Sequence, residues 1–269
     1  MNPIILGKTL LGYRLALLLM AAAMVGFGML IPSTYDAFGG RYFEDFARNM
    51  PKGLQAFLKS EVGSFVGSGA QGYVSTGFRH PIFLIVGAAF TIAAASGALA
   101  REVERRTIYL ILSRPTPRYE LVVSRFLGMA LGLALLLAAM MVGTTAGVAL
   151  SQLSSSVNLA RFVLVAANAF LLLIALGGVA FFISALASDG GKAIALSAGF
   201  AVASFFLDFL AGLWEPLRSL GPASIYHYYD PVNVAITGRV PILHVAVLLA
   251  VAAASFTAAV MTFQRRDIA

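Results

Sequence analysis

Arg101 to Arg125 reads R-E-V-E-R-R-T-I-Y-L-I-L-S-R-P-T-P-R-Y-E-L-V-V-S-R, six arginines and three glutamates between two long apolar runs. A charge at the bilayer centre costs about 2.5–3.5 kcal/mol on insertion scales, so this segment lies in water while its flanks lie in hydrocarbon. Short arginine-rich loops stay on the cytoplasmic side, so the same block sets which way up the chain lies.

The rest of the composition agrees. Of 269 residues, 59% are hydrophobic and 12% charged, with a mean hydropathy of +0.87, against about 25% charged in a typical soluble domain. The bases behind the net charge of +7 cluster at the ends of apolar runs, where they meet anionic lipid headgroups or a partner protein rather than nucleic acid. With no cysteine, disulfides, thiolate metal sites and cysteine nucleophiles are excluded.

Apolar runs of membrane-spanning length predict six spans, at about 11–31, 81–100, 121–150, 162–187, 193–214 and 242–263, forming one transmembrane domain over 1–269. The first run exceeds the usual apolar stretch of a signal peptide, which favours an uncleaved span. Between the first two spans, Phe43, Phe46 and Met50, then Leu54, Phe57, Leu58, Val62 and Phe65, recur at helical spacing. They predict amphipathic helices on the outer surface, as a cap over a path or as a connector at the interface. Gly63, Gly67, Gly69 and Gly72 then predict a flexible return to the membrane. In the third span, Gly128-x-x-x-Gly132 and Gly143-x-x-x-Gly147 have the spacing that lets helix backbones approach closely. An even number of spans puts both termini on one side. Eleven of the nineteen lysines and arginines fall on the proposed inner side, and five of the other eight lie in the long 32–80 loop, which counts less because long loops translocate regardless of charge. Both termini are therefore expected in the cytoplasm, in the inner cell membrane.

No enzyme constellation emerges. Gly190-Gly191-Lys192-Ala193 resembles the end of a phosphate-binding loop, but Leu186 stands at the first glycine position and Ala193 where a hydroxyl must hold magnesium. His80, His227 and His244 form no metal-ligand motif. Ser96, Ser184, Ser197, Ser204 and Ser255 lack a nucleophile-elbow setting. Asp208 is the one acid inside a predicted span, and such acids usually face a bundle interior or a watery cavity. It is a candidate pathway residue unless it merely reaches the outer interface. Asn168 is a second candidate, with interhelical hydrogen bonding as the alternative. Tyr226, Tyr228 and Tyr229 read as an interfacial aromatic anchor or as part of an outer gate.

Read as a short helix, the charged block places Glu102, Arg105, Arg106 and Tyr109 at i, i+3, i+4 and i+7, with Leu110 and Leu112 leading into Pro115-x-Pro117. Glu102 and Glu104 point about 200° apart. One is expected to pair with Arg105, Arg106 or the second span's end while the other faces the cytoplasm.

The run Glu102-Val-Glu104-Arg-Arg-Thr107-Ile-Tyr-Leu110-Ile-Leu112-Ser-Arg-Pro115-Thr-Pro-Arg118 resembles the E-x-E-x-G-T-x-x-x-L-L-x-x-P-x-x-R segment of exporter-type ABC permeases, the ABC type-2 membrane subunits. Phe263-Gln-Arg265-Arg266-Asp267 and the Tyr228-Tyr229-Asp230-Pro231 patch are similar to features around their last span. The resemblance implies an all-α integral membrane permease that is not itself an enzyme and holds no cofactor. ATP and magnesium would be bound by a separate ABC ATPase subunit in two copies, and a second permease subunit, identical or not, would complete the exporter. The block would be the coupling helix, with Glu102, Glu104, Arg105, Thr107, Leu110, Leu112, Pro115 and Arg118 as its ATPase-coupling residues. The sequence departs from the pattern at Arg106, where glycine is common, and at Ile108-Tyr109. A non-transporting membrane scaffold or immunity protein and an ion-driven secondary transporter are the rival readings. The latter would be expected to show acids near the midplane and paired interrupted helices.

Overall fold

The computed structural model describes residues 3–38, 69–105 and 117–266. Among these there is no strand, and six helices are long and apolar enough to cross a membrane. The chain is an all-α, multi-pass membrane protein. The first span is the helix Pro3–Ser33; the second joins Gly69–Arg79 to Pro81–Ala98 and ends in the single turn Ala100–Glu104. The third to sixth are Arg118–Leu150, Leu159–Leu186, Gly190–Leu213 and Ile242–Arg265. The predicted outer-surface helices at 43–65, with Gly63 and Gly67, lie outside the described residues.

Polar residues in the turns start these helices by accepting backbone N–H groups that have no partner inside the helix. His80 Nδ1 accepts from Ile82 (3.2 Å) ahead of Pro81, Asn158 Oδ1 from Ala160 (3.1 Å), and Asp189 Oδ1 from Lys192 (2.8 Å). The expected flexible return at Gly69 and Gly72 is instead the helix Gly69–Arg79. Ala70, Val74 and Phe78 recur every four residues and are all buried. Burying that stripe outweighs a helix penalty of about 1 kcal/mol per glycine.

The second and fourth spans form the interior, and the fourth packs against the sixth while the first lies along the third. One part of the core gathers Phe78, Phe83 and Phe162, another Met129, Phe181 and Phe263. The first and third spans meet backbone to backbone. A Cβ on Gly28 would stand 2.6 Å from the Met140 carbonyl oxygen, one on Gly147 2.6 Å from that of Met29, and one on Gly143 would run into the carbonyl of Val25. Without a hydrophobic force between helices in lipid, such close approach is what holds them together.

Candidate functional site

The alternating spans give the molecule two ends: a basic one carrying Arg101, Arg118, Arg125, Lys192 and Arg266, and an aromatic one carrying Tyr226, Tyr228 and Tyr229. At the basic end the turn Ala100–Glu104 fastens to several spans. The Ala100 N–H donates to Ser184 Oγ of the fourth span at 3.0 Å. Arg125 of the third span donates to Glu102 Oε1 at 2.8 Å, the two side chains being only 18% and 20% exposed. Glu104 reaches the fifth span, where its Oε2 accepts the N–H of Gly190 at 2.9 Å. Gly190 opens that helix, where unpaired N–H groups and the helix dipole favour a carboxylate. Ser96 donates to the Gly190 carbonyl at 2.8 Å, and a Cβ on Gly190 would sit 3.1 Å from Glu104 Oε2 and 3.3 Å from Arg101 Cβ. The first residue of the fifth span is thus gripped on both its N–H and its C=O.

The flank of the block does the same for the sixth span. Arg118 donates to the Arg266 carbonyl at 2.7 Å, and Arg266 donates to the carbonyls of Ala185 and Ala187 at 2.9 and 2.8 Å, closing the C-terminus of the fourth span. Replacing Arg266 by alanine should leave those carbonyls unpaired. Hydrogen exchange at the end of the fourth span is expected to rise, with loss of about 1–3 kcal/mol of local stability.

Glu102 crosses to Arg125 of the third span and Glu104 to Gly190 of the fifth, partners that spacing along the chain does not mark. Arg105 is exposed, and Arg106, Thr107, Tyr109, Leu110, Leu112 and Pro115 lie outside the described residues. The serines considered as nucleophiles include Ser96, Ser184 and Ser204, and each of these three instead hydrogen-bonds between elements.

At the aromatic end, Ser224 donates to the Ser204 carbonyl at 2.7 Å, and Ser204 Oγ accepts the Ile225 N–H at 3.0 Å, pinning the 215–230 loop to the fifth span. Tyr229 donates to the Phe78 carbonyl at 2.7 Å, and Tyr228 to that of Pro222 at 2.9 Å. Tyr226 and Tyr229 are buried rather than spread at a headgroup surface. Burial pushes the Tyr226 phenol up to about 12 and the Tyr229 phenol well above its ordinary value, so both stay neutral. Asn168 is fully buried and donates to the Tyr228 carbonyl at 3.3 Å, which joins it to this loop. Asp208 Oδ1 lies 3.4 Å from His227 Nδ1, and its side chain is 27% exposed. It faces a cavity of about 390 Å³ between the second and fifth spans, whose wall also includes Arg79, Phe209, Tyr226 and Tyr229.

The family model described as ABC-2 family transporter protein matches residues 4–268. The chain belongs to that family. No curated protein matches it. As an ABC-2 membrane subunit it is a transport component of a family that works with an ABC ATPase. The resemblance lies in the block, the 263–267 ending and the 228–231 patch, but sequence spacing gives no sign of the Glu104–Gly190 contact, which spans 86 positions. Nor did it mark Arg161, whose guanidinium donates to the carbonyls of Ala235 and Ile236 and closes the helix Pro231–Thr237.

Proposed function

We propose that this single transmembrane domain is the permease subunit of an ATP-driven exporter in the inner cell membrane, with both termini cytoplasmic. Two copies of a separate ATPase bind ATP and magnesium and dock on the charged block, and a second permease subunit completes the pathway. The carrying observation is the grip of the block on the fifth span. Glu104 holds Gly190 at one end of that helix, and Asp208 faces the cavity eighteen residues further on, about 27 Å away at 1.5 Å per residue. A helix fixed at the docking end can carry movement to the cavity. ATP can bias the inward- and outward-open states only if the docked ATPases bind them differently. Tyr226, buried in the loop, and Tyr228 and Tyr229, held by their hydroxyl hydrogen bonds, serve as the outer gate, and Asn168 steadies it.

The decisive experiment is affinity purification of the full chain from native membranes, with the co-purifying proteins identified by mass spectrometry. An ABC ATPase at stoichiometric level is expected; its absence would sink the exporter reading. Asp208→Asn is expected to change substrate-stimulated ATP hydrolysis by about ten-fold or more, on the scale of one charged hydrogen bond at about 1.5–3 kcal/mol, while leaving assembly intact. Should a cysteine at 208 react only with lipid-phase labels, Asp208 does not face the pathway.

A further inference from the structure

The cavity beside Asp208 continues along the second and fifth spans. Its volume of about 390 Å³ adjoins a second of about 240 Å³, and Pro81, Leu84, Phe205 and Tyr226 line both. The two spans run antiparallel, so residue order reads as depth. On the second span Arg79 and His80 come first, then Ile85 and Ala88; on the fifth Asp208 comes first, then Val202 and Ala201. Pro81 to Ala88 and Asp208 to Val202 descend about 10.5 and 9 Å at 1.5 Å per residue. The charged side chains all line the upper part, and the lower part is walled by apolar and aromatic groups alone. Ile85, Val202 and Phe206, on the lower rim, are 64%, 55% and 52% exposed, so the slot opens sideways.

We propose that this slot binds an amphiphile with a zwitterionic head and a hydrocarbon tail. The upper wall presents one guanidinium, Arg79, and one carboxylate, Asp208, to the same space. A head carrying only negative charge meets the carboxylate, and one carrying only positive charge meets the guanidinium. A head carrying both signs meets an opposite charge at each, at Arg79 and at Asp208 beside its His227 neighbour. The tail lies between Ala88 and Ala201, where small side chains leave the space. The inference deepens the exporter reading by naming a substrate class, and rests on it for transport but not for binding.

The test uses the full chain, purified without its ATPase in neutral maltoside micelles, with bound lipid counted by native mass spectrometry. Palmitoyl lysophosphatidylethanolamine is expected to bind about ten-fold more tightly than palmitoyl lysophosphatidylglycerol, the weight of one charge-assisted hydrogen bond. Asp208→Asn should weaken only the zwitterion and erase the preference. Ala88→Phe should weaken both by about ten-fold by filling the tail space, with Ala88→Leu as the milder version should the larger ring impair folding. Ala134→Phe, in a separate apolar groove between the third and fourth spans, should change neither. Equal binding of the two lipids by the unmodified chain, or unaltered binding by both Ala88 variants, overturns the proposal. Selective binding in a protein that captures no ATPase would instead leave the slot standing and remove the exporter.

Discussion

Gly143→Leu is expected to leave almost no folded protein, whereas Gly26→Leu, next to Val25 in the first span but facing away from the third, should fold normally. A Cβ at Gly143 would enter the Val25 carbonyl, and both neighbours are backbone atoms of packed helices, so neither can rotate away. A Cβ at Gly26 meets nothing within 4 Å. Over-packing in a core usually costs about 1–3 kcal/mol because side chains shift to relieve it. Here the relief would be separation of the first span from the third along the whole Gly28, Gly143 and Gly147 seam, so the cost should exceed about 3 kcal/mol, beyond the usual range for point mutants. Gly143→Ala should fall between. Thermal unfolding in detergent and the monodisperse fraction on size exclusion measure the series. Similar stabilities for the leucine variants at 143 and 26 would mean that the two spans do not pack on these glycines.

The fold was legible because hydrocarbon leaves few alternatives: apolar runs of the right length, interrupted by a block that must be wet, specify the helices before any contact is known. Asp189 and Asn158 start their helices by an equally local action, on backbone groups two or three positions away. What the sequence did not disclose is long range. One of Glu102 and Glu104 was expected to pair with Arg105, Arg106 or the end of the second span, because i to i+4 spacing is the only partner rule a sequence offers. No such rule points to Arg125 of the next span, which Glu102 also meets. The Ser204–Ser224 link and the Tyr229–Phe78 bond also join distant segments, which no spacing in the sequence marks. Asp208 stood out as a lone intramembrane acid, yet its neighbours Arg79 and Tyr226 become cavity walls only once the second and fifth spans are side by side. In the charged block, Glu102, Glu104 and Arg118 each bond to another part of the chain.

Reversal of Glu102 to lysine is therefore expected to uncouple the permease from its ATPase, and adding Arg125→Glu is expected to restore coupling. The single change puts two cations where the structure has a 2.8 Å ion pair. Breaking one partner of a buried pair costs about 3–5 kcal/mol, and the remaining fifth of exposure on each side chain discounts this to about 2–3 kcal/mol. That is enough to release the turn Ala100–Glu104 from the third span. An exposed pair would contribute only about 0.2–1 kcal/mol and could not produce such a loss. The readouts are ATP hydrolysis by the purified complex, with and without the permease, and retention of the ATPase through purification. Charge reversal at Lys52 or Lys59 should leave both unchanged. Leu110→Asp should weaken ATPase retention in a way the Arg125 swap does not repair, because it would act on the docking surface and not on the brace. Rescue by the double reversal locates the role of Glu102 inside the subunit, in holding the block rigid so that Glu104 can draw on the fifth span. A double reversal as defective as the single one would place Glu102 against the ATPase itself and overturn the brace.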